Sequence, residues 1–339
     1  MNRRMLAEWE NPKAILMAYP HQNSDWNYIL PEAQNQFDRI INSLLDGGEK
    51  LILLSQVDLP RPLENKIKKS GSLILKDIPY NDTWTRDYGP ITIFKNGDMA
   101  ELDFGFNGWG LKFASDRDNL VNLNLVTRGY RNQNSFENHR DFILEGGSLE
   151  TDGKGMLLTT TRCLCSDNRN GGKSKEEIEP ILKEKLGVSR ILWLDHGFLE
   201  GDDTDSHIDT LARLAPENTI VYVAPPKEKM DPHYSELKLM EEELNSFRTI
   251  EGKPFRCIPL PFPDPIYDEN GERLPATYAN YLVTSKAVYL PVYNQPENDR
   301  KAVEAIERAF PNHRIFTIDC RTLIKQHGSL HCSTMQLYY

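Results

Sequence analysis

The sequence is 339 residues long, with 39% hydrophobic residues, 27% charged residues and a formal net charge of −10. These proportions are typical of a soluble globular protein. The negative charge argues against a nucleic-acid partner, whose phosphates require a basic surface, and favours a small cationic ligand instead. The first ten residues contain no apolar run, so we expect no signal peptide. No stretch approaches the roughly 20 apolar residues of a membrane span.

The cysteines show no metal-binding pattern; the five are Cys163, Cys165, Cys257, Cys320 and Cys332. Only one residue separates Cys163 from Cys165, whereas zinc and thioredoxin motifs have two residues between their cysteines. An odd number of cysteines without a signal peptide indicates reduced thiols. We therefore predict a cytoplasmic protein.

Residues 14–19 form a short apolar run that ends at Pro20, which predicts a buried strand. Residues 31–45 follow as a helix, because their apolar side chains repeat on one face and Gly47-Gly48 is typical of a helix end. Next come predicted strands at 50–55 and 72–77, a polar loop at 82–90, a hairpin of 90–94 with 100–104 around Asn96-Gly97, a segment without clear periodicity at 113–138, and a strand at 141–144.

The second half of the chain continues this alternation. Residues 174–186 predict a helix with Ser174 as its N-cap and Gly187 as its C-cap. The other predicted elements are strands at 156–160 and 190–194, an acidic segment at 202–209, a strand at 219–224, a helix at 234–246, a strand at 255–259, a proline-rich loop at 262–270, paired strands at 281–284 and 287–291, a helix at 296–310 and a strand at 314–318. Two or three strands per helix indicate an α/β fold that is not of the Rossmann kind. No linker divides the chain, so we predict a single domain over residues 1–339.

Cys332 lies among small and polar residues near the end of the sequence, where residues 328–334 read Gly-Ser-Leu-His-Cys-Ser-Thr. A free cysteine is most often an inert residue of the core. A catalytic thiol needs a histidine and carboxylates that are close to it in space rather than in sequence. Acidic clusters elsewhere in the chain could supply these partners.

The densest group of titratable residues is Asp-Asp-Thr-Asp-Ser-His-Ile-Asp at 202–209. In an extended segment, residues two apart face the same side, so His207 and Asp209 would point at one ligand. A solvated charged loop is the ordinary explanation of such a run. A metal site is a further alternative, but calcium loops need a different spacing and a glycine that this run lacks.

Two more polar motifs adjoin predicted strands. Residues 82–90 read Asp-Thr-Trp-Thr-Arg-Asp-Tyr-Gly-Pro, and the pair Arg86 and Asp87 could be structural, with Arg86 binding a carboxylate elsewhere. Glu145 ends a predicted strand beside Gly146-Gly147, and glycines let the backbone approach a ligand closely. An ordinary β-turn explains this second motif nearly as well.

Taken together, one thiol, one histidine and several carboxylates favour a planar cationic substrate over a peptide, because the five N–H donors of a guanidinium bind carboxylates bidentately. The motifs resemble those of the agmatine deiminase family, which includes bacterial peptidyl-arginine deiminases. The resemblance spans residues 82–334 and rests on Trp84-x-Arg86-Asp87-x-Gly89-Pro90, Glu145-Gly146-Gly147, Asp203-Thr204-Asp205-x-His207-x-Asp209 and His331-Cys332-x-Thr334. The chain departs from the family at Ser206, where Gly is usual, at Thr210, where Asn is frequent, and in 327–329, where a second Gly is usual.

This resemblance implies an α/β propeller of five ββαβ-type units, the pentein fold, around a central pocket. It also implies hydrolysis of a guanidine without a metal or a cofactor. Cys332 is similar to the nucleophile that attacks the guanidinium carbon, and His207 to the residue that protonates ammonia and then activates water. Asp87 and Asp209 resemble the pair that binds the guanidinium, and Glu145 the acid that orients the histidine or the substrate. The implied intermediate is a covalent S-alkylthiouronium.

The resemblance also favours agmatine as the substrate, hydrolysed to N-carbamoylputrescine and ammonia. Asp203 resembles an acid that binds the far amine, and Trp84 resembles an aromatic wall, with ordinary core packing as its alternative. Arg86 is grouped with these as a substrate-binding residue. The alternatives are a deiminase of free or peptidyl arginine, an amidinotransferase, and a non-catalytic guanidine- or polyamine-binding protein. We expect no nucleic-acid or membrane partner, and a homo-oligomer is left open.

Overall fold

The computed structural model describes residues 3–339, and residues 1 and 2, which open the predicted domain 1–339, lie outside the described residues. Its strands are β1 Arg3–Met5, β2 Ala14–Ala18, β3 Leu51–Leu54, β4 Leu73–Leu75, β5 Ile91–Lys95, β6 Asp98–Gly105, β7 Phe136–Ile143, β8 Glu150–Thr151, β9 Met156–Thr160, β10 Arg190–Leu194, β11 Ala212–Ala215, β12 Thr219–Val223, β13 Arg256–Leu260, β14 Leu282–Val283, β15 Ala287–Val292, β16 Arg314–Asp319 and β17 Met335–Leu337.

The helices of the described chain vary from single turns to five turns. They are α1 Leu30–Gly47, α2 Arg61–Lys69, α3 Thr85–Tyr88, α4 Gly108–Leu111, α5 Val121–Thr127, α6 Thr161–Leu164, α7 Lys175–Leu186, α8 Tyr234–Ser246 and α9 Pro296–Ala309. α4 is a turn of left-handed backbone, with φ of 55° at Trp109 and 68° at Leu111. None of the helices within residues 3–339 is long and apolar enough to cross a bilayer.

The strands of residues 3–339 form five separate sheets, and four of these repeat one pattern. In each of the four, an antiparallel pair is extended by a parallel third strand, giving β5-β6-β7, β8-β9-β10, β11-β12-β13 and β14-β15-β16. A helix (α5, α7, α8 or α9) lies before each parallel strand, because a parallel partner can be reached only by a crossover connection. The α/β fold predicted from the sequence is therefore confirmed.

The fifth sheet joins the last strand of the described chain to β2 near its beginning. β17 pairs antiparallel with β2, and β2 is extended in parallel by β3 and then β4, which follow α1 and α2. β1 adds an antiparallel edge strand to β5 in another sheet. The N-terminal segment is thus bonded to two sheets, and its position is fixed independently of any ligand.

α1 shows how the sequence positions these elements. Pro31 lies in its first turn, where a missing backbone N–H is tolerated. Phe37, Ile40 and Leu44 recur on one face and are fully buried in the larger core. Gly48 ends the helix with φ at 91°, a left-handed conformation that glycine adopts without strain.

Some elements differ from those predicted. The predicted loop 82–90 contains the helical turn α3, and the aperiodic segment 113–138 contains α5 and the beginning of β7. β1, β8, β11 and β17 were not predicted, because strands of two to four residues are too short to show a hydrophobic period. The hairpin around Asn96-Gly97 is confirmed by the register Lys95↔Asp98.

The fifth sheet contains the same three-stranded pattern in β17-β2-β3, with β4 added. A short segment precedes the first strand of each pattern, and the five segments before β5, β8, β11, β14 and β17 meet in one place. Gly147, before β8, donates its backbone N–H to Asp87 Oδ1 at 2.9 Å. Asn280, before β14, directs Nδ2 to Asp209 O at 3.4 Å and to Cys332 Sγ at 3.2 Å. Residues that are far apart in the sequence thereby form one cluster.

Candidate active site

A cavity of about 420 Å³ opens over this cluster. Aromatic rings, carboxylates and the Cys332 thiol share its surface. The lining residues are Asp25, Tyr28, Asp82, Trp84, Asp87, Trp109, Phe113, Asp203, Thr204, Lys325, Gln326, His327, Gly328 and Cys332. Four of the predicted site residues, Trp84, Asp87, Asp203 and Cys332, therefore reach one cavity.

Cys332 lies in the turn that leads into β17, with 4% of its surface exposed. Asn280 Nδ2 donates to Cys332 Sγ at 3.2 Å, and the sulfur lies 3.8 Å from Asp209 Oδ2. Burial, and then the negative charges of Asp209 and Asp87, raise the pKa of the thiol well above its ordinary value. The thiol is therefore protonated near neutral pH.

His207 is fully buried between two carboxylates. Its Nδ1 lies 3.5 Å from Asp87 Oδ1, and its Nε2 lies 3.4 Å from Glu145 Oε2. Burial alone would lower the pKa of the imidazole, but Asp87, Cys163 and Glu145 together raise this pKa well above its ordinary value. The ring is therefore held as an imidazolium that can give up a proton.

Glu145 precedes β8 and binds a buried arginine. Arg169 Nε donates to Glu145 Oε1 at 2.9 Å and to Oε2 at 2.8 Å. Burial raises the pKa of the carboxyl, but the hydrogen bond from His207 and the charge of Arg169 outweigh it and leave the pKa below its ordinary value. Glu145 thus remains ionised and fixes the position of the His207 ring.

Asp87 and Asp209 are two further carboxylates of the cluster, and both lie close to Gly147 and His207. Asp87 accepts hydrogen bonds from Gly147 N at 2.9 Å and from Trp109 Nε1 at 2.8 Å, and burial raises its pKa to about 6. Asp209 Oδ2 lies 2.7 Å from His331 Nδ1. Burial raises the pKa of Asp209, but the bond and charge of His331 outweigh this and lower it. Both carboxylates are therefore anionic at neutral pH.

Two buried polar atoms of the cluster have no hydrogen-bond partner within residues 3–339. They are Asp209 Oδ1 and His207 Nδ1. Buried polar atoms are rarely left unpaired in folded proteins. The unpaired acceptor beside the thiol is therefore available to a ligand with N–H donors.

Glycines allow this close approach of side chains. A Cβ at Gly147 would lie 2.6 Å from His207 Nδ1 and 2.7 Å from Asp87 Oδ1. A Cβ at Gly328 would lie 2.4 Å from the Trp84 ring. The interpretation of Gly146-Gly147 as a point of close approach is supported at Gly147, where any side chain would enter the cluster.

Trp84 and Asp203 lie at the cavity as predicted, although neither is free of protein contacts. The Trp84 ring packs 5.7 Å from the Trp26 ring and is almost entirely buried, so it is both core and cavity wall. Asp203 is partly exposed, and its Oδ2 lies 3.8 Å from His327 Nε2. Both residues are positioned to contact the part of a ligand that extends away from Cys332.

Arg86 is not brought to the cavity. Its guanidinium points to the opposite side of the cluster, where Nη1 binds Glu8 Oε1 at 2.8 Å and Nη2 contacts Gln336 Oε1. The expectation that it contacts substrate is therefore corrected, and the alternative, that it binds a carboxylate elsewhere, describes its position. Arg86 and Asp87 are adjacent in a helical turn, so their side chains point in different directions, and of the two only Asp87 lines the cavity.

The acidic segment 202–209 is neither extended nor a simple solvated loop. His207 is followed by a 3-10 turn, Ile208–Thr210, so the alternation expected for His207 and Asp209 is wrong although both side chains reach the cluster. Asp202 organises the loop by accepting hydrogen bonds from Thr204 Oγ1 at 2.6 Å and Ser206 N at 2.7 Å. Local bonds to backbone compete successfully with strand formation here.

Two departures from the family pattern lie in left-handed backbone. Ser206 has φ at 65° and His327 has φ at 64°. Glycine occupies this conformation without strain, whereas other residues do so at a cost. Glycine, which is usual at these positions in the family, would adopt this left-handed backbone without strain, whereas Ser206 and His327 adopt it at a cost.

Several residues of the cluster were not predicted. Asn280 contacts the thiol, Arg169 holds Glu145, Trp109 binds Asp87, and His331 binds Asp209. The only signal for Asn280 was its place just before the predicted strand 281–284. His331 was part of the quoted motif but had received no role.

Two groups of potential metal ligands occur in the described residues. The ligand atoms of Glu145, Cys163 and His207 lie within 4.8 Å of one another, but the Arg169 guanidinium occupies both oxygens of Glu145. The other group, Glu8, Glu150 and His331, is neutralised by Arg86 and Arg213 in the same way. Guanidinium groups already supply the positive charge, so neither donor set fits a cation.

Comparison with known proteins shows similarity over nearly the whole chain. The family described as Porphyromonas-type peptidyl-arginine deiminase matches residues 4–337. A protein of Legionella pneumophila subsp. pneumophila named "Putative agmatine deiminase" is 32% identical over 336 residues, which cover 98% of this chain and 94% of that protein.

Solved structures extend the similarity to the fold. The crystal structure of a "putative peptidyl-arginine deiminase" has 45% identity and a TM-score of 0.93, covering 100% of this chain and 99% of that one. A cysteine-to-serine variant of C. jejuni agmatine deiminase with substrate bound has 37% identity and a TM-score of 0.90, covering 99% and 96%. An amidinotransferase from Microseira wollei, at 11% identity and a TM-score of 0.58, covers 100% and 97% and is similar in fold alone.

The match extends over nearly the whole chain, and the relatives are similar over nearly their full lengths. The resemblance indicated by the motifs is confirmed: the chain belongs to the Porphyromonas-type peptidyl-arginine deiminase family.

Proposed function

We propose that this protein hydrolyses the guanidinium group of agmatine, releasing ammonia and N-carbamoylputrescine. The observation that carries this proposal is the cluster that the Cys332 thiol forms with the anionic Asp87 and Asp209 and with His207, beneath a cavity that Cys332 and Asp87 line. A planar cation with several N–H donors satisfies the unpaired Asp209 Oδ1 and the charge of both carboxylates. The names of the agmatine deiminase relatives support the same chemistry.

In the proposed complex, Asp87 and Asp209 bind the guanidinium nitrogens and present the central carbon to Cys332. Holding the reactants in this geometry removes much of the entropy cost of their encounter. The bound cation also neutralises the two charges that raise the pKa of the thiol. Cys332 therefore ionises in the complex more readily than in the free protein.

Once the Cys332 thiol has lost its proton to solvent, the first chemical step forms a bond between Sγ and the guanidinium carbon. His207 donates its proton to one substrate nitrogen, the C–N bond breaks and ammonia leaves, so that an S-alkylthiouronium remains on the cysteine. Glu145 keeps the imidazole in place through the 3.4 Å contact at Nε2. Neutral His207 is then ready to act as a base.

In the second step His207 takes a proton from a water molecule, and the water oxygen bonds to the thiouronium carbon. The C–S bond breaks and Cys332 is released as a thiolate, which takes up the second proton of that water as the carbon becomes the carbonyl of a ureido product. Each turnover consumes one water and returns His207 to its protonated form.

The far end of the cavity supports an amine-bearing substrate. Asp25, Asp82 and Asp203 line it, and Trp84 offers an apolar wall to a four-carbon chain. A carboxylate near a primary ammonium gains favourable charge interaction. We propose Asp203 as the principal acid for this amine.

A deiminase of free or peptidyl arginine is the second candidate. Lys325 and His327 line the same cavity and could bind an α-carboxylate or a peptide carbonyl. The structure of 45% identity carries the name of a peptidyl-arginine deiminase. A deiminase of this kind would use the same catalytic residues and would differ only in the cavity residues that bind the far end of the substrate.

The test is to measure ammonia release from agmatine, free arginine and a blocked arginine peptide, with Cys332→Ala as the inactive control. We expect turnover of agmatine alone and none in the variant. Turnover of arginine or the peptide would keep the mechanism and reject the role proposed for Asp203. No ammonia with any substrate would contradict hydrolysis and leave a binding protein, while transfer to an added amine such as glycine would identify an amidinotransferase.

We also propose that the five sheets are the blades of an α/β propeller, in one domain, around this cavity. The repeated antiparallel-parallel pattern and the pairing of β17 with β2 support this arrangement. An experimental structure in which the five sheets do not surround the cavity would contradict it.

A further inference from the structure

We propose that Asn280 is a further residue of the active site, whose side-chain amide stabilises the thiolate of Cys332 by donating a hydrogen bond to its sulfur. This inference deepens the proposed function and rests on Cys332 being the nucleophile. Asn280 touches the reacting atom itself and would act on its ionisation.

The orientation of the Asn280 amide is determined by its surroundings. Asn280 is fully buried, and its Oδ1 accepts the backbone N–H of His331 at 2.9 Å and that of Cys332 at 3.2 Å. If the amide were turned over, its NH₂ group would face these two donors. Nδ2 must therefore point the other way, towards Cys332 Sγ at 3.2 Å and Asp209 O at 3.4 Å.

The same amide can serve both protonation states of the sulfur. As a thiol, Cys332 can donate to Asn280 Oδ1 at 3.4 Å. As a thiolate, it can only accept, and Nδ2 is within reach. Hydrogen bonds that involve an ionised partner are stronger than those between neutral groups, so the amide favours the thiolate over the thiol.

The thiolate needs such a donor because two carboxylates lie close to it, while a backbone hydrogen bond at Ser329 also favours its charge. Asp209 and Asp87 both oppose its ionisation. Within residues 3–339, Asn280 is the one side chain that donates an N–H to this sulfur. A neutral donor is suited to this place, since a cationic one would repel the guanidinium that must bind there.

The repeated architecture gives an independent reason to include Asn280. The segments before β5, β8, β11 and β17 supply Asp87, Glu145, the pair His207 and Asp209, and Cys332 in turn. Asn280 occupies the corresponding segment, before β14. Without it, one of the five repeated units would contribute no side chain to the cluster.

The test is the rate at which iodoacetamide alkylates Cys332, followed between about pH 7 and pH 9.5 by mass spectrometry of the Cys332 peptide. Asn280→Ala removes the whole amide. Asn280→Asp keeps an acceptor for the two backbone N–H groups but removes the donor and adds a negative charge. Below the thiol pKa the rate follows the thiolate fraction, so the midpoint need not be reached.

We expect both variants to be alkylated more slowly at every pH in this range, with the aspartate slower than the alanine. Loss of a hydrogen bond to a charged group corresponds to about one to two pKa units. A more basic thiolate is a better nucleophile and regains about half of that loss. The net expectation for Asn280→Ala is a roughly three-fold to ten-fold slower reaction.

Asn122→Ala is the matched control, because Asn122 is also buried but donates to Tyr88 O and Asp103 Oδ1, away from the sulfur. Its Cys332 alkylation should equal that of the wild type. Thermal unfolding of each variant shows whether it is folded. If Asn280→Ala does not fold, the near-isosteric Asn280→Asp decides.

A folded Asn280 variant whose alkylation profile superimposes on that of the wild type would overturn the inference and leave Asn280 as a packing residue. Because the assay contains no substrate, its result does not depend on agmatine turnover. A shifted profile in a protein that releases no ammonia would keep the role of Asn280 and reject the proposed function. An unshifted profile in a protein that releases ammonia from agmatine would reject the role of Asn280 and keep the proposed function.

Discussion

At Cys332, the two carboxylates proposed to bind the substrate also oppose ionisation of the nucleophile. Asp209 and Asp87 raise the pKa of the thiol, and a guanidinium between them would cancel that effect. Binding and activation are then a single event, since the thiolate forms when the cation is present. The free protein should therefore react only slowly with neutral electrophiles.

Asp87→Asn should therefore change two reactivities of Cys332 in opposite directions. At pH 8 the wild-type Asp87, with its pKa raised to about 6, is ionised. Removing its charge lowers the thiol pKa, so alkylation by neutral iodoacetamide should be about three-fold to ten-fold faster. Agmatine kcat/KM should fall by about a hundred-fold, because a charge-assisted bond to the substrate is lost.

Asp103→Asn is the control for this prediction. Burial raises the pKa of Asp103 to about 6 as well, but the residue lies on β6 and does not line the cavity. Both reactivities should keep their wild-type values in this variant. Slower alkylation in Asp87→Asn would show that Asp87 does not act on the thiol through its charge.

The same carboxylate predicts the acid limb of the pH profile. Asp87 binds the cation only when ionised, so agmatine kcat/KM should fall as pH decreases through about 6. In Asp87→Asn, the remaining agmatine kcat/KM should not show this fall at acid pH.

At the scale of single elements, the loop 202–207 carries backbone strain next to the proposed acid-base residue. Asp205 and Ser206 follow each other with φ at 64° and 65°, and the Asp202 side chain holds them by accepting from Ser206 N. Left-handed backbone disfavours any residue with a Cβ by about 1 to 2 kcal/mol. The loop is therefore stable only because its hydrogen bonds offset this strain.

Ser206→Gly should raise the free energy of unfolding by up to about 1 kcal/mol, since relief of strain exceeds the added entropy of the unfolded chain. Ser206→Ala keeps the Cβ and should bring no gain. Urea unfolding of the three proteins measures the difference. A glycine variant less stable than the alanine variant would mean that the conformation at residue 206 is not strained.

The elements that the sequence allowed us to predict are those with a repeating pattern or a capping residue. α1, α7 and α9 have periodic apolar faces, and the hairpin β5-β6 has Asn96-Gly97 at its turn. α3 and the turn at Ile208–Thr210 could not be predicted, because tertiary hydrogen bonds hold them and their own sequences show no period. The site residues were indicated by motif resemblance, while Asn280 and Arg169 carry no local signature.

At the scale of the whole molecule, Glu8 links the N-terminal segment to three other parts of the chain. Its oxygens bind Arg86 Nη1 at 2.8 Å, Arg213 Nη2 at 2.8 Å and His331 Nε2 at 2.7 Å. These partners come from α3, β11 and the segment before β17. Since His331 also contacts Asp209, this network supports the active site from the side opposite the cavity.

The pH dependence of this support follows from the pKa of Glu8. Burial raises this pKa, but Arg86, His331 and Arg213 outweigh burial and leave it well below its ordinary value. The folded state thus binds the proton less well than the unfolded state. The stabilisation by Glu8 is present above the unfolded pKa of about 4.3 and is lost as pH falls towards the folded pKa.

Glu8→Gln should lower the free energy of unfolding at pH 7 by about 3 to 5 kcal/mol, because it leaves buried cations without their partner. The difference from wild type should be smaller at about pH 3.5, below the unfolded-state pKa, because there the unfolded wild-type chain takes up a proton that the folded state does not. Urea unfolding at the two pH values measures both differences. Agmatine turnover should fall as well, since His331 and Asp209 lose their support.

Glu10→Gln in the same segment is the comparison, because within residues 3–339 the ion pair of Glu10 is with the partly exposed Arg4 at 2.7 Å, and glutamine can still accept the Ala7 N–H. Exposed ion pairs contribute about 0 to 1 kcal/mol, so its effect should be small and agmatine turnover unchanged. Equal effects of the two substitutions would mean that the N-terminal segment acts through packing alone. A larger effect at Glu8 that does not shrink in acid would mean that its charge is not what stabilises the network.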